Sequence, residues 1–301
     1  MKLEQWTLFV DMLGYRDING AIKNDEDAKI FLDFMQSNAN VFAAMNGDAT
    51  KAIYSNNKQF DLYKYYEVTA AFISDSMIIT FKPNDVPELT NQDHAMMHSA
   101  NALFIICMRL QGLIFSTYFQ KGIFLRGGIS NKYAMVRGQF AVGEGLMEAY
   151  EAESTLAKHP RIVLHPAVSS NVALMDKIDY LSKAMYSGHA PLQKDQTDGL
   201  YFLDYLGHAA STINTDIPII AASAKMNPQF IKSREQVHFY FAEHAKALSA
   251  KLVECQSKLA AAAIGDEKSK AQKLLSKFDW LKSYHNRTIA ANPALAAYVV
   301  A

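Results

Sequence analysis

Residues 5–15 read QWTLFVDMLGY, and this stretch decides the fold. Residues 5–13 are apolar and rich in β-formers, which predicts a buried strand ending at Gly14. Asp11 sits late in that strand, where a carboxylate is costly unless water, a donor or a cation offsets its burial. Gly14 follows at the point where the backbone must turn tightly or approach a ligand closely. Read alone, Asp11 fits a helix cap or an edge-strand charge as well as it fits a functional site.

Working outward, Ile30, Phe31, Phe34, Met35, Val41, Phe42 and Met45 recur at three-to-four spacing, so a helix is expected over 27–46. Asn46-Gly47 is its stop, and residues 48–62 read as polar and irregular. Strands are expected over 65–73 and 77–81, joined by Ser74-Asp75-Ser76 as a tight hairpin. A long helix over 92–119 leads to a strand over 123–129, and residues 139–142 suggest another short strand. A helix over 145–157 and a strand over 161–164 come next. The order β-α-β-β-α-β is the split-βαβ arrangement, an antiparallel sheet with helices on one face, so the fold class is α+β. Residues 187–199 read as a surface loop and 200–206 as a further strand. Two long helices, 228–260 and 267–291, are expected to form a hairpin about Gly265-Asp266 that braces the fold or a dimer. The chain therefore divides into a main domain over 1–210 and a helical hairpin over 228–295.

Composition narrows the function. The chain has 301 residues, 50% hydrophobic and 20% charged, enough to bury a sizeable core. Lys+Arg and Asp+Glu are both 30, which calls for neither nucleic acid nor an anionic membrane as partner. The two cysteines, Cys107 and Cys255, lie in apolar helical patterns and read as reduced core thiols of a cytoplasmic protein. Lys2, Glu4 and Asp11 interrupt any secretory leader, and the greasiest run, 102–108, is far short of the roughly 20 residues that span a bilayer.

A second carboxylate gives Asp11 its meaning. Asp75 tips the hairpin, and in a split-βαβ sheet the first strand lies beside the hairpin strands, so the two acids can meet. Two carboxylates with a backbone carbonyl suit Mg²⁺ or Mn²⁺, ions that keep positions open for phosphate oxygens. A hairpin-tip aspartate is also an ordinary turn former, so the weight rests on the pair. Arg126, in an apolar strand beside Gly127 and Gly128, could grip a phosphate, hold Asp11 or Asp75, or form a structural ion pair. Lys132 and Arg137 are weaker phosphate candidates. His94 and His98 have metal-ligand spacing on a helix but no acidic third ligand follows. Gly143 to Gly145 lacks the context of a dinucleotide site.

FVDMLGY (9–15) resembles the first metal-binding strand of class III nucleotide cyclases, and FISDSMIITF (72–81) resembles their second. LRGGIS (125–130), GEGLMEAYEAES (143–154) and PRIVLHP (160–166) resemble segments that follow in the same order, so the likeness spans roughly 5–170. The chain length and the tail KFDWLKSYHNRT (277–288) look like the pyrimidine nucleotide cyclases of the Pycsar anti-phage system. The resemblance implies a ferredoxin-like cyclase sheet and a two-metal cyclisation, with two Mn²⁺ or Mg²⁺ ions per site held by Asp11, Asp75 and the Met12 carbonyl. One ion would activate the ribose 3′-hydroxyl and the other would leave with pyrophosphate. Asp11, Asp75 and Arg126 would be catalytic, with Phe9, Leu13, Gly14 and Tyr15 around the nucleotide. The backbone after Leu13 would cradle the triphosphate. It also implies a head-to-tail homodimer whose sites borrow Arg126 or loop residues from the partner, and a separate effector that reads the product.

The departures bear on the base. Ala71 stands where purine cyclases carry a base-reading Lys, Phe140 where they carry an acid, and Met147 and Glu151 where they carry the Asn and Arg that stabilise the transition state. Loss of polar readers fits a different base. Tyr54, Tyr65, Tyr66 and Phe140 are candidates for shortening the pocket, and ordinary sheet aromatics read equally well. The expectation is UTP rather than CTP as substrate. The alternatives are an inactive nucleotide-binding scaffold and a palm-fold dinucleotide cyclase.

Overall fold

The computed structural model describes residues 2–56, 60–186, 190–211 and 228–301, and in it the opening stretch forms strand β1, Trp6–Met12. Trp6, Leu8, Val10 and Met12 are all buried on one face, which is the period of a pleated strand with a single core side. Thr7, Phe9 and Asp11 point to the other face. β1 is central: the strands Ser76–Pro83 (β3) and Leu125–Ser130 (β4) flank it, both antiparallel, and Tyr66–Ile73 (β2) pairs with β3. The order β2-β3-β1-β4 is the split-βαβ core that the sequence pattern predicts. The sheet extends past β4 through Ile162–Leu164 (β7, parallel to β4), Tyr201–Leu203 (β9) and Leu192–Lys194 (β8), giving seven strands.

Helices α1 (Tyr15–Ala21) and α2 (Asp25–Met45) follow β1. The Asn24 side chain caps α2 by accepting from the Asp27 N–H at 2.9 Å. Helix α5 (Gln92–Lys121) joins β3 to β4 and ends at Gly122, whose φ of 64° is the left-handed stop that glycine favours. By length and composition α5 is apolar enough to cross a membrane. Here it is the core helix: Leu103, Ile106, Leu110 and Leu113 are buried, and Ser99 at its start accepts from the Trp6 indole at 3.1 Å.

Gly128 sets the layer on the opposite face of the sheet. A Cβ there would stand 2.5 Å from that of Ala152 and 2.9 Å from the Glu153 nitrogen, so only glycine lets the chain approach so closely. The approaching segment is α6 (Glu144–Glu151), which widens into a π-helical turn over Ala152–Leu156.

The C-terminal hairpin comprises α10 (Pro228–Ala261) and α11 (Asp266–Ala290), with Gly265 at the bend. It packs directly on the main body. The Phe278 ring meets that of Phe124 at 5.8 Å, the Tyr118 hydroxyl donates to the Tyr240 carbonyl at 3.1 Å, and the Trp280 indole donates to Asp195 at 2.9 Å. Cys107 and Cys255 are free, buried thiols.

Four local readings need correction. Residues 48–62 include helix α3 (Asp48–Ser55) and the first residue of helix α4 (Leu62–Tyr65), and 57–59 lie outside the described residues; α4 is opened by the Asp61 carboxylate, which caps the Tyr63 N–H at 3.0 Å. The expected loop 187–199 contains β8, because Leu192 is buried where it pairs with Leu203; residues 187–189 lie outside those described. The expected strand 200–206 gives way at Tyr205 to helix α9 (Tyr205–Ser211). The hairpin turn is two residues rather than three, because Ser74 takes a φ of 56° and returns Ser76 to the strand opposite Ile73.

Two glycines should separate cleanly on substitution. Gly128→Ala is expected to cost about 2 kcal/mol or more, since backbone atoms must move. Gly112→Ala, on an exposed turn of α5 with open space around it, should gain about 0.5–1 kcal/mol. Urea denaturation of both variants checks the pair.

Candidate active site

Asp11 pairs across the sheet with Ser76 on one side and Arg126 on the other. The Ser76 hydroxyl donates to Asp11 Oδ1 at 3.3 Å, and an Arg126 terminal nitrogen lies 3.9 Å from Asp11 Oδ2. Asp75, at the hairpin tip, is tied to β1 by the Met12 N–H, which donates to its carbonyl at 3.2 Å. The structure thus brings together Asp11, Asp75 and Arg126 at the end of β1. It adds a third carboxylate: Arg126 Nε donates to Glu153 Oε1 at 2.5 Å, and a second guanidinium nitrogen closes on the same oxygen. Glu153 is only 3% exposed. The π turn and the glycine beneath it place it there.

This crowd of acids governs the electrostatics. Burial, then the charges of Glu153 and Asp75, push the Asp11 carboxyl up to about 7, against the pull of Arg126 and Ser76. Lys277 on α11 joins the group. It is half-buried; burial and then the Arg126 charge hold its ammonium below the usual lysine range, while Glu153 and Asp11 oppose that shift.

The site suits a divalent cation by its chemistry. Among the described residues, no three or more His, Cys, Asp or Glu side chains form a ready ligand group. Glu153 is occupied by Arg126, which leaves Asp11, Asp75 and backbone carbonyls. These are hard oxygen donors of the kind Mg²⁺ and Mn²⁺ accept while keeping water and phosphate oxygens.

The other expected residues fall into two groups. Phe9 shares the Asp11 face and meets the Tyr150 ring edge-on at 5.3 Å. The Met12 side chain is in the core and its N–H is taken, so it has only its carbonyl to offer. The Leu13 N–H is bonded to the Phe124 carbonyl at 2.9 Å. Gly14, at φ 85°, opens α1 with no side-chain cap. The Tyr15 ring, by contrast, turns away to Phe31, at 5.8 Å. Tyr54 is not brought to the acids: it packs on Tyr63 at 5.5 Å, and the Arg109 guanidinium that reaches it also lies over Phe81, on the core face of β3. Tyr65 clusters with the rings of Phe60 and His98, and buried Tyr66 donates to the Glu4 carbonyl. Phe140, at 80% exposed, stands in the small hairpin of β5 (Met135–Arg137) and β6 (Phe140–Val142). Met147 is 66% exposed and Glu151 lies 3.9 Å from His165. Arg126 is bound by Glu153 of its own chain.

No protein-family model and no curated protein sequence matches the chain. Solved structures are similar to it at low identity. The adenylyl cyclase CyaB from P. aeruginosa is 10% identical, at a TM-score of 0.34, over 66% of this chain and 93% of that one. The non-canonical dimeric guanylyl cyclase domain of the RhoGC fusion protein from the aquatic fungus Blastocladiella emersonii is 16% identical, at 0.36, over 67% and 93%. The catalytic core of a rhodopsin-guanylyl cyclase with converted specificity, in complex with ATPalphaS, is 18% identical, at 0.31, over 67% and 95%. Likeness of this degree leaves the fold to rest on the strand order and the chemistry to rest on the residues.

The Arg126–Glu153 pair makes a stability prediction. Arg126→Met strands a buried carboxylate beside Asp11 and should cost about 3 kcal/mol. Arg126→Met/Glu153→Met removes both charges and should recover at least half of that loss in urea denaturation. A single variant as stable as the parent would contradict the electrostatic account.

Proposed function

We propose that the chain is a nucleotide cyclase of class III type that converts a pyrimidine nucleoside triphosphate, UTP before CTP, to its 3′,5′-cyclic monophosphate and pyrophosphate. The observation that carries this reading is the placing of Asp11, on the face of β1 turned away from the core helix, beside the hairpin tip whose Asp75 carbonyl accepts the Met12 N–H. Asp11, Asp75 and the Met12 carbonyl would hold Mn²⁺ or Mg²⁺. Bound there, the ions would supply acidity at the ribose 3′-hydroxyl and charge neutralisation at the departing phosphates. Arg126, fixed by Glu153, keeps the Asp11 carboxylate in place while staying largely out of solvent. The uncapped start of α1 after Gly14 leaves N–H groups for phosphate oxygens.

The pyrimidine preference is supported by the apolar residues at the purine-reading positions. Ala71 lies on the Asp11 face of the sheet, buried and with no polar side chain to offer a base. The homodimer is supported by exposed apolar side chains around the site: Tyr133, Met135, Phe140, Val142, Met147 and Tyr150. A second copy covering them would bring Phe140 near a nucleotide and supply donors that Met147 and Glu151 lack. Residues 1–210 would form the catalytic domain and 228–295 a hairpin fastened to it. The anti-phage role, with a separate effector for the cyclic product, rests on the likeness of the tail to the Pycsar cyclases. An NTP substrate places the activity in the cytoplasm.

One observation favours a second reading, an inactive nucleotide-binding scaffold: no transition-state donor stands at Met147 or Glu151. Incubating the purified chain with each of the four NTPs and Mn²⁺, followed by mass spectrometry, decides between them. Expected is a cyclic pyrimidine monophosphate, lost to background in Asp11→Ala and in Asp75→Ala with folding retained by circular dichroism. A cyclic purine product, a dinucleotide, or turnover in either variant would contradict the proposal.

A further inference from the structure

Val68 of β2 stands beside Phe81 and Trp6 in the sheet register, so it shares their helix-covered face, away from Asp11. On that face a cleft of about 450 Å³ opens between the end of α2, helices α3 and α4, and the edge strand; Asn46, Lys51, Tyr63, Tyr66, Val68 and Asn84 line it. Behind Tyr63 lies Arg109 of α5, only 8% exposed. One of its terminal nitrogens donates to the Tyr63 hydroxyl at 2.8 Å, and the guanidinium lies 5.9, 5.8 and 5.8 Å from the ring centres of Tyr54, Tyr63 and Phe81. Arg109 makes no other side-chain hydrogen bond and no ion pair among the described residues, and none of its remaining nitrogens is sealed from solvent. The Tyr63 hydroxyl donates in turn to Asn46 Oδ1, at a long 3.4 Å. Lys51 Nζ stands 6.0 Å from the Tyr63 ring centre and has no ion pair among the described residues. The acids nearby are engaged elsewhere: Asp61 caps α4 and Glu88 holds Lys64. Glu67 borders the cleft, but its place between Tyr66 and Val68 turns its side chain to the other face, beside Lys82.

A guanidinium keeps its charge at any physiological pH, so burying one among neutral groups alone is costly. Ring faces and one phenol oxygen offset part of that cost. Packing does not ask for the charge, since an apolar side chain would serve against the same rings. An anion in the cleft would supply what is missing. An oxygen accepting from the Tyr63 hydroxyl would lie within roughly 6 Å of the Arg109 nitrogen behind it, and that guanidinium polarises the hydroxyl as a donor. The donors come from three elements, Tyr63 from α4, Lys51 from α3 and the Asn46 amide from the end of α2. Donors spread in this way suit a tetrahedral phosphate better than a planar carboxylate. We propose that the cleft binds a small organic phosphate, held by the Tyr63 hydroxyl and Lys51 over the buried charge of Arg109. This site is separate from the Asp11 end of β1 and does not rest on the cyclase reading. Its occupant would tie α2, α3 and α4 to the edge strand.

The test titrates phenyl phosphate calorimetrically into the full chain in EDTA, which keeps metal-held phosphate out of the measurement. Lys51→Ala and Tyr63→Phe are each expected to weaken binding by about fivefold or more, because each removes a donor to a charged ligand. Arg109→Met should abolish binding with folding retained by circular dichroism; where that variant does not fold, the other two decide. Lys82→Ala removes an exposed cation from the opposite face of the same strand pair and should match the parent. Benzoate, which carries a carboxylate on the same ring, should bind the parent several-fold more weakly. Parental affinity in Lys51→Ala, in Tyr63→Phe or in folded Arg109→Met would put the anion elsewhere and overturn the proposal. So would an equal loss in Lys82→Ala, benzoate binding as tight as that of phenyl phosphate, or no binding by the parent.

Discussion

The structure turns on a charge problem: at one end of the central strand Asp11 is partly buried and feels the charges of Glu153 and Asp75, while the guanidinium beside it, Arg126, is bound by Glu153. Nothing in folding asks for this. A sheet face can be finished with apolar or small polar residues at lower cost, and unbalanced buried charge is among the more expensive features a domain can keep. The arrangement is nonetheless built with care. Gly128 removes a side chain so that the π turn can settle on β4, the turn delivers Glu153 to Arg126, and Arg126 reaches Asp11. Features of this kind, locally unfavourable and structurally supported, mark functional sites more often than structural ones.

The scaffold itself follows simpler rules. The alternation of β1 gives one face to α5 and the other to the acids, and a one-residue slip would exchange them. Two antiparallel neighbours hold β1 on both sides, so Asp11 faces Ser76 and Arg126 through backbone registry rather than through side-chain choice. On the outer side of the site, exposed apolar residues of the β5–β6 hairpin and α6 leave room for a second chain. On the inner side, the C-terminal hairpin closes against the turn after β1. The site thus stands between two elements that neither strand order nor motif spacing describes.

That division explains what was legible in the sequence. β1, the hairpin strands and α5 declare themselves as apolar runs of strand and of helix length, and the placing of Asp11 near the hairpin tip follows once strand order is inferred. Glu153 was hidden because a π turn shifts the helical phase, so a buried acid looks like a solvent-facing one. Ser76 was hidden by one residue of turn length, set by a positive φ at Ser74 that glycine would have advertised. Tyr54 was misplaced because composition does not say which face of a sheet a preceding helix will cover.

The central claim is that Asp11 and Asp75 together hold divalent cations next to a triphosphate. Electron paramagnetic resonance of Mn²⁺, titrated into the chain with a non-cyclisable nucleotide, reports it directly. The account predicts two bound ions per chain in the parent, and loss or strong weakening of at least one in both Asp11→Asn and Asp75→Asn. Unchanged Mn²⁺ binding in either variant, or no binding in the parent, would contradict it.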